Sequence, residues 1–270
     1  MFSVVIPAYN CGSTIEIVLD SVINQTRFDL IEEIIIINDG STDCTEKVVL
    51  NYINNHKDLN IIYEYQDNLG VSKTRNKAIN KSKAEWIALI DADDIWLPNK
   101  IEVQAEVIKA NPQIQFLGSQ YPVKIFFKKK YGGLIKITPK QLCFRNMPST
   151  PSVVFNRKKG IELGLFDENQ KYGEDIRFFQ KFMLIDSYYI LVKDLIRISI
   201  GKEFFAQAGL SSNLKKMHEG RNACVKELKE LGLISVVFMS FILFINEFKY
   251  IRRVIQKKWN ILKYNLLKKY

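Results

Sequence analysis

The chain has 270 residues and 47% of them are hydrophobic, which suffices for one large α/β domain, alone or with an appendage, and excludes a disordered chain. The net charge of +10 lies in the C-terminal tail, because eight of the 39 Lys and Arg residues follow Glu247 and the rest of the chain has 31 against 29 acids. A nucleic-acid-binding body is therefore excluded, and four scattered cysteines without a CxxC pattern argue against a disulfide framework or a zinc site.

The first hundred residues alternate between strand and helix patterns, which predicts a Rossmann-like, mostly parallel α/β sheet flanked by helices. Short apolar runs indicate strands at residues 2–6, 33–38, 61–64 and 86–90, and helical patterns begin near Thr14, Thr42 and Val71. In such sheets ligands bind at the carboxyl ends of the strands. The segments that follow the four strands, PAYN, NDGSTD, QDNLG and DADD, are therefore the candidate site.

Two of these segments carry polar groups suited to a nucleotide. In NDGSTD, Gly40 eases a tight bend, the hydroxyl residues after it are candidate helix caps, and Asp39 is placed to accept a hydrogen bond from a base or a ribose. In NLGVSKTRNKAI, Asn68 and Gly70 lie in a loop, and Arg75 in the following helix could reach a phosphate or the base. A solvated helix charge is the alternative for Arg75.

The fourth segment crowds Asp91, Asp93 and Asp94 at the end of an apolar strand. Clustered carboxylates repel one another, and a cation relieves that repulsion. Mg²⁺ and Mn²⁺ prefer oxygen ligands and commonly take one or two carboxylates plus phosphate oxygens. The pattern indicates such a metal with a diphosphate. The alternative is an N-cap and acidic first turn for a helix starting near Pro98, with Asp94 as a solvated loop acid.

The second half of the chain indicates an α+β region and a helical tail. Residues 113–137 contain short strand-like runs, and a helix begins near Glu174 after KYGED. The apolar run from Leu231 to Ile245 is roughly 22 Å long at ~1.5 Å per residue, short of the ~30 Å hydrocarbon core, so it is a marginal membrane span. Beyond it, apolar residues recur every three or four positions between cations, at Phe248, Ile251, Ile255, Trp259, Leu262 and Leu266.

The tail is thus expected to form an amphipathic basic helix on an anionic membrane surface. A helix packed on the body, or a dimer seam, is the alternative. The N-terminal run MFSVVIPAYN indicates a first strand and not a signal peptide. We therefore expect the body of the protein in the cytoplasm, with the tail on the cytoplasmic face of a membrane.

The segments SVVIPAYN, IINDGSTD, NLGVSKTRNKAI, WIALIDADDIW and GLFDENQKYGEDIRFFQKF, in this order and spacing, closely resemble the family 2 inverting glycosyltransferases. The resemblance covers roughly residues 2–185. Each motif is weak alone, but the ordered set is specific. It implies the A-type glycosyltransferase fold.

The resemblance also implies roles for individual residues. Asp39 would contact the base, Asp91 the ribose or donor sugar, and Asp93, with Asp91, the metal, Mn²⁺ or Mg²⁺. Asp175 would be the catalytic base, and Glu174 would hold the acceptor or orient the base. The full donor-binding set is Pro7, Ala8, Tyr9, Asp39, Asn68, Gly70, Arg75, Asp91, Ala92 and Asp93.

Three further residues are weaker candidates. Thr150 and Ser152 would lie near the acceptor in the resemblance, although the two prolines of MPSTPS could simply bend the chain into a strand from Ser152. His218 could contact the diphosphate or metal, although a lone histidine is more often structural or solvated.

The expected function is metal-dependent, inverting transfer of a sugar from a nucleoside-diphosphate sugar, with UDP favoured, to a saccharide or polyprenyl-linked acceptor in bacterial surface polysaccharide synthesis. Residues 1–210 would form the catalytic domain, with a nucleotide-sugar half (1–97) and an acceptor half (98–210). Residues 211–270 would form the helical extension. A homo-oligomer is compatible with the sequence, and nucleic acid is not expected as a partner.

Three alternatives to this function remain. Nucleic-acid binding by the basic tail is one, although the apolar run beside that tail favours a membrane over DNA. A catalytically silent nucleotide-sugar-binding scaffold would be expected to have lost Asp93 or Asp175, and both are present. A nucleotidyltransferase would be expected to carry a glycine-rich basic loop near the N-terminus, and it would leave the GED motif unexplained.

Overall fold

The structure is a computed structural model and describes residues 1–120, 131–144, 148–198 and 213–267. Its strands are β1 (Phe2–Ala8), β2 (Ile31–Asp39), β3 (Ile61–Gln66), β4 (Trp86–Leu89), β5 (Ile95–Trp96), β6 (Phe116–Ser119), β7 (Leu134–Lys136), β8 (Val154–Asn156), β9 (Tyr189–Leu191) and β10 (Ile196–Arg197). Its helices are α1 (Ile15–Ile23), α2 (Thr45–Asn55), α3 (Val71–Lys81), α4 (Lys100–Ala110), α5 (Pro139–Phe144), α6 (Arg157–Glu162), α7 (Glu174–Gln180), α8 (Leu214–Glu230) and α9 (Val236–Leu267). The expected domain boundary at residues 210 and 211 lies outside the described residues.

Eight of the described strands form one mixed sheet in the order β3-β2-β1-β4-β8-β6-β9-β7. The four strands expected from the first hundred residues form its parallel half, in which Val5 pairs with Ile35 on one side and Leu89 on the other. Antiparallel β8 joins this half to the parallel pair β6 and β9, and β7 adds an antiparallel edge. A Rossmann-like, mostly parallel sheet is therefore confirmed.

The isoleucine run of β2 shows why this sheet is covered on both faces. Successive side chains of a strand point to opposite sides. Ile34 and Ile36 pack in a core with α1 and α2, whereas Ile35 and Ile37 pack in a second core with α3 and α7. Because helices cover both faces, a central strand can be apolar at every position. This sandwich leaves the carboxyl ends of the strands as the edge where polar groups gather.

Helix α8 packs directly on the turn that precedes α7. A side-chain Cβ placed on Gly220 would lie 2.4 Å from the carbonyl oxygen of Tyr172, so only glycine permits this approach. Glu227 of α8 accepts hydrogen bonds from Arg177 at 2.9 Å and from Gln180 at 2.7 Å, both on α7. The C-terminal helices are thus anchored beside the GED motif.

Helix α9 has one packed face and one exposed face. Ile242 is buried in a small core with Cys143, Val225 and Leu228, which corresponds to the alternative of a tail packed on the body. The exposed face carries an apolar stripe formed by Val237, Phe241, Phe244, Phe248, Ile251, Ile255 and Trp259. The side chains of Leu262 and Leu266 lie outside the described residues. In the described part of the chain, none of the helices is long and apolar enough to cross a membrane.

Candidate active site

Six predicted donor-binding residues line one cavity of about 800 Å³ at the carboxyl edge of the sheet. They lie at the ends of β1 and β2 and in the segments after β1 and β3, and they are Pro7, Ala8, Tyr9, Asp39, Asn68 and Gly70. We call this the donor cavity. Its opposite wall includes residues 168–171, which the sequence analysis did not single out. The only available signal was the polar run ENQK just before the GED motif.

Tyr9 gives the donor cavity an aromatic surface. Its side chain is 53% exposed although it follows a buried strand. An exposed aromatic ring at a cavity rim offers a face on which a planar base can stack. The loop behind it is held by Asn10, whose amide oxygen accepts from the Thr42 backbone at 2.8 Å and whose backbone donates to Ser41 at 2.9 Å. The hydroxyl residues of NDGSTD therefore tie two loops together, and the prediction that they cap α2 is wrong.

Asp39 organises the loop that forms one wall of the donor cavity. It is 4% exposed. Its Oδ1 accepts hydrogen bonds from the backbone of Leu69 at 2.8 Å and from Gln66 at 2.7 Å, and its Oδ2 accepts from the backbone of Gly70 at 2.9 Å. A carboxylate offers about four acceptor positions, so little capacity remains for a base. Contact with the base stays a prediction, and a structural role in holding the loop is directly observed.

Arg75 joins the DADD segment to the GED segment. Its side chain is buried at 4% exposure, so the solvated-charge alternative is wrong. One guanidinium nitrogen lies 2.7 Å from Asp91 Oδ1 and another 3.2 Å from Glu174 Oε1, and the guanidinium stacks over Phe166 with 5.2 Å to the ring centroid. The two carboxylates raise the pKa of Arg75 against the effect of burial, so the guanidinium stays charged. Both terminal nitrogens of Arg75 are thereby paired with protein carboxylates, and its buried Nε has no hydrogen-bond partner among the described residues.

Glu174 and Asp175 form a pair of carboxyl groups at the start of α7. Burial and the neighbouring Asp175 raise the pKa of Glu174 from an ordinary 4.5 to about 7, although Arg75 opposes the shift. Burial also raises the pKa of Asp175, while a hydrogen bond of 2.7 Å from the Ile176 backbone stabilises its charged form. A carboxyl group with a raised pKa is suited to accept a proton near neutral pH.

The carboxylates of the DADD segment differ in their exposure to solvent. Ala92 points into the core, which leaves Asp91 and Asp93 partly exposed on the other side. A donor contact from Ala92 could therefore involve only its backbone. Asp94 is buried at 4% exposure, so its description as a solvated loop acid is wrong. Helix α4 begins at Lys100, and its first-turn acid is Glu102, so the aspartates of DADD do not serve as the acidic first turn.

The partly exposed carboxylates of Asp91 and Asp93 fit a metal ion whose remaining coordination positions are filled by a substrate. Among the described residues, no group of three or more His, Cys, Asp or Glu side chains is arranged to hold a metal ion. The described side chains therefore do not form a complete cage. Mg²⁺ and Mn²⁺ often bind through one or two carboxylates, with phosphate oxygens and waters at the remaining positions. Asp91 and Asp93 match that donor set.

Thr150 and Ser152 lie in a buried turn before β8. The Ser152 hydroxyl donates to the Ser149 carbonyl at 2.7 Å, and the Ser152 carbonyl accepts from Gln104 at 2.9 Å. Both side chains are buried, and Ser152 is completely inaccessible. These contacts favour the chain-bending explanation. A direct acceptor contact by Ser152 would require this turn to be uncovered.

His218 lies between α8 and α9, outside the described lining of the donor cavity. Its Nε2 is 2.7 Å from Glu247, and its ring stacks on Tyr250 with 4.6 Å between the centroids. The structural alternative therefore accounts for this residue, and the predicted contact with the diphosphate or metal has no support in this arrangement.

Comparison with known proteins gives a family match over most of the body. A sequence model described as "Glycosyl transferase family 2" matches residues 3–167. A relative named an uncharacterized glycosyltransferase of Rickettsia typhi is 30% identical over 212 residues, which cover 73% of this chain and 63% of that protein. The chain thus spans less than two thirds of the length of this relative.

Solved structures share the fold. S. aureus TarS 1-349 in complex with UDP-GlcNAc is 20% identical with a TM-score of 0.62, and the match covers 90% of this chain and 70% of that one. The mannosyltransferase PcManGT from Pyrobaculum calidifontis, in complex with GDP-Man and Mn²⁺, is 15% identical with a TM-score of 0.58, and the match covers 96% and 84% of the two chains. At these identities the likeness concerns the fold alone.

Proposed function

The chain belongs to glycosyl transferase family 2, and from that premise we propose that it transfers a sugar from a nucleoside-diphosphate sugar to an acceptor hydroxyl with inversion. The observation that carries the proposal is the Arg75 bridge, which holds Asp91 and Glu174 on one guanidinium. That bridge links the donor-side carboxylate Asp91 to Glu174, the neighbour of the candidate base Asp175.

The residues divide the reaction between them. The donor cavity takes the nucleoside, with Tyr9 as its stacking surface. Asp175 removes the proton of the acceptor hydroxyl as the oxygen forms a bond to the anomeric carbon and the bond to the diphosphate breaks. Glu174 lies beside Asp175 and, through Arg75, fixes the base relative to Asp91. Asp93 and Asp91 would hold an Mn²⁺ or Mg²⁺ ion, which would supply positive charge to stabilise the departing nucleoside diphosphate.

We propose UDP as the nucleotide and Mn²⁺ or Mg²⁺ as the metal. The UDP-GlcNAc of TarS and the Mn²⁺ of PcManGT support a nucleotide-sugar donor and a divalent ion in this fold. Titrating the purified protein with UDP, GDP and dTDP, each with and without Mn²⁺, tests this by calorimetry. Tight, metal-dependent binding of UDP is expected. Absence of binding by all three nucleotides would contradict the proposed function and favour a silent scaffold.

The acceptor is proposed to be a saccharide, free or linked to a polyprenyl lipid, with the protein at the cytoplasmic face of a bacterial inner membrane. The exposed apolar stripe of α9 supports this location. Its residues recur every three or four positions. The same helix also carries cations, including Lys249, Arg252, Arg253 and Lys257. An apolar helix face beside several cations complements an anionic lipid surface.

Replacing Phe244, Phe248 and Trp259 together by serine is expected to weaken binding to phosphatidylglycerol vesicles by at least about ten-fold, because three large apolar side chains no longer enter the lipid. All three are exposed, so the packed face of α9 is unchanged. Vesicle co-sedimentation measures the effect.

Truncation after about Leu231 should likewise release the protein from membranes, and persistent membrane recovery of the truncated protein would contradict the proposed location.

The activity is expected to rise with pH through a limb near pH 7, because the carboxyl pair must lose a proton before Asp175 can accept one. An ordinary carboxyl group would place that limb near pH 4.5. Stability should change in the opposite direction. A carboxyl pKa raised from 4.5 to about 7 on folding contributes stability that is present below pH 4.5 and is lost as the pH rises through 7.

Profiles of kcat/KM and of Tm between about pH 4 and pH 8 test both trends. Glu174→Gln cannot ionise at this position, so its Tm should fall less than that of the wild type over this range. An acid limb of kcat/KM below about pH 5 would show that the pair titrates as ordinary carboxyl groups during catalysis.

A further inference from the structure

The wall of the donor cavity at residues 168–171 is a polar loop that precedes α7. We call it the wall loop. Helix α3 supports it from inside the cavity's own lining, because the Ser72 hydroxyl donates to the Gln170 carbonyl at 3.4 Å. The Asn76 amide nitrogen on the same helix donates to Glu168 Oε1 at 3.1 Å. The position of the wall loop therefore depends on contacts with neighbouring elements.

Arg177 on α7 holds both ends of the wall loop. One of its terminal guanidinium nitrogens donates to the Asp167 carboxylate and, at 3.0 Å, to Gln170 Oε1. Asp167 Oδ1 in turn accepts from the Asn169 backbone at 2.9 Å, which closes a short turn through a side chain. The Gln170 amide nitrogen donates to the Tyr172 carbonyl at 2.7 Å. A single guanidinium thus fixes the groups that start and end the loop.

Helix α8 fixes the direction of that guanidinium. The Nε of Arg177 donates to Glu227 Oε1 at 2.9 Å, and Gln180, about one turn further along α7, donates to Glu227 Oε2 at 2.7 Å. The side chains of Glu227 and Arg177 are 15% and 34% exposed, so water screens their contact less than at an open surface. A guanidinium presents its donors in a rigid planar fork. Anchoring Nε on Glu227 therefore sets where the terminal nitrogens meet the wall loop.

We propose that Arg177 is a positioning residue for the donor, which ties the wall loop to α8 and thereby sets the shape of the donor cavity. We call the contacts of Arg177 with Glu227, Asp167 and Gln170 the Arg177 clamp. The proposal rests on the proposed function, since it concerns how the same cavity receives a nucleoside diphosphate. Arg177 is not among the described residues that line the cavity, so it acts through the wall loop. Isolated surface ion pairs contribute little, whereas charges that share partners in a network contribute more.

Long-range charge attraction is the competing explanation for any effect of Arg177 on an anionic ligand. Arg177→Gln removes a positive charge, which would weaken UDP binding even without a clamp. Glu227→Ala separates the two explanations, because it breaks the Arg177 clamp while it removes a negative charge. The clamp predicts weaker UDP binding in both variants. Charge attraction alone predicts weaker binding in the first variant and tighter binding in the second.

The test measures UDP binding by calorimetry in the full-length protein with Mn²⁺, below the Tm of every variant. Arg177→Gln should weaken UDP binding by about five-fold or more, and Glu227→Ala by about three-fold or more, because the wall loop loses charge-assisted contacts. Arg157→Gln is the control for the arginine, since Arg157 makes several contacts with the C-terminal end of α3. Glu230→Ala is the control for the carboxylate, since Glu230 is exposed on the same helix as Glu227. Both controls should change UDP affinity by less than about two-fold.

Hydrogen exchange reports on the wall loop in the absence of a nucleotide. The backbone amides of Asn169 and Gln170 both donate to Asp167, and they should exchange about five-fold faster or more in Arg177→Gln and in Glu227→Ala. The two controls should exchange there at the wild-type rate.

The outcomes separate the explanations. UDP binding by Glu227→Ala that is unchanged or tighter, exchange at the wild-type rate in either clamp variant, or equal weakening by the controls would each overturn the proposal. Glu227→Ala leaves Arg177 its contacts with Asp167 and Gln170, and it decides the question if Arg177→Gln does not fold. Absence of UDP binding by the wild type would contradict the proposed function, whereas the exchange rates would still decide the clamp.

Discussion

Asp175→Asn should lower kcat by about 10²–10⁴-fold, the usual contribution of a positioned general base. The amide keeps the size and the acceptor oxygen of the carboxylate but cannot take the proton of the acceptor hydroxyl. UDP affinity should stay within about three-fold, because the donor cavity is lined by other residues. Single-turnover transfer assays and UDP calorimetry on the same preparation measure the two quantities.

Asp186→Asn is the matched control, because this carboxylate is largely exposed and forms its ion pair with Lys136, outside the candidate site. It should leave kcat unchanged. Loss of UDP binding in Asp175→Asn would place Asp175 in the donor site and would remove it as the base. Full transfer by the variant would require a different base, for which Glu174, with a pKa raised to about 7, is the nearest candidate.

The parallel half of the sheet could be predicted from the sequence because its signal is local. Four isoleucines in a row indicate a strand buried on both faces, and the structure places Ile34 and Ile35 in opposite cores. The polar turns after the strands could also be predicted from the sequence, although the hydrogen-bond partners of their residues could not. The contact of Asp39 with a base stays a prediction, whereas its role in holding the loop backbone at Leu69 and Gly70 could not be predicted from the sequence.

The environment of Arg75 could not be predicted, because it depends on a residue 99 positions away. The sequence left a solvated charge and a ligand contact open for this helix. Burial beneath Phe166 and pairing with Glu174 arise only when the second half of the chain closes over α3. The wall formed by residues 168–171 was missed for the same reason, since a polar loop shows no periodicity that reveals what it covers.

The chemistry of the tail could be predicted from the sequence, whereas its packing could not. An apolar run followed by an amphipathic basic stretch was expected, and both lie on one continuous helix, α9, from Val236 to Leu267. One face is covered at Ile242 and Asn246, and the other carries the exposed stripe. Which side of a uniformly apolar run becomes covered depends on the position of α8. Helix α8 can approach the turn before α7 only because Gly220 has no side chain.

Asp93→Asn should abolish most transfer and weaken UDP binding in the presence of Mn²⁺ by at least about ten-fold, because one of the two carboxylates that fit the metal loses its charge. Binding without Mn²⁺ should be unchanged. Asp91→Asn is the informative comparison, because Asp91 also pairs with the buried Arg75 at 2.7 Å. Its loss should lower Tm as well as metal-dependent binding, since a buried charge loses a partner. If Asp93→Asn kept full activity and the same dependence on Mn²⁺, Asp93 would have no part in holding the metal, and the donor diphosphate would have to be stabilised by other groups.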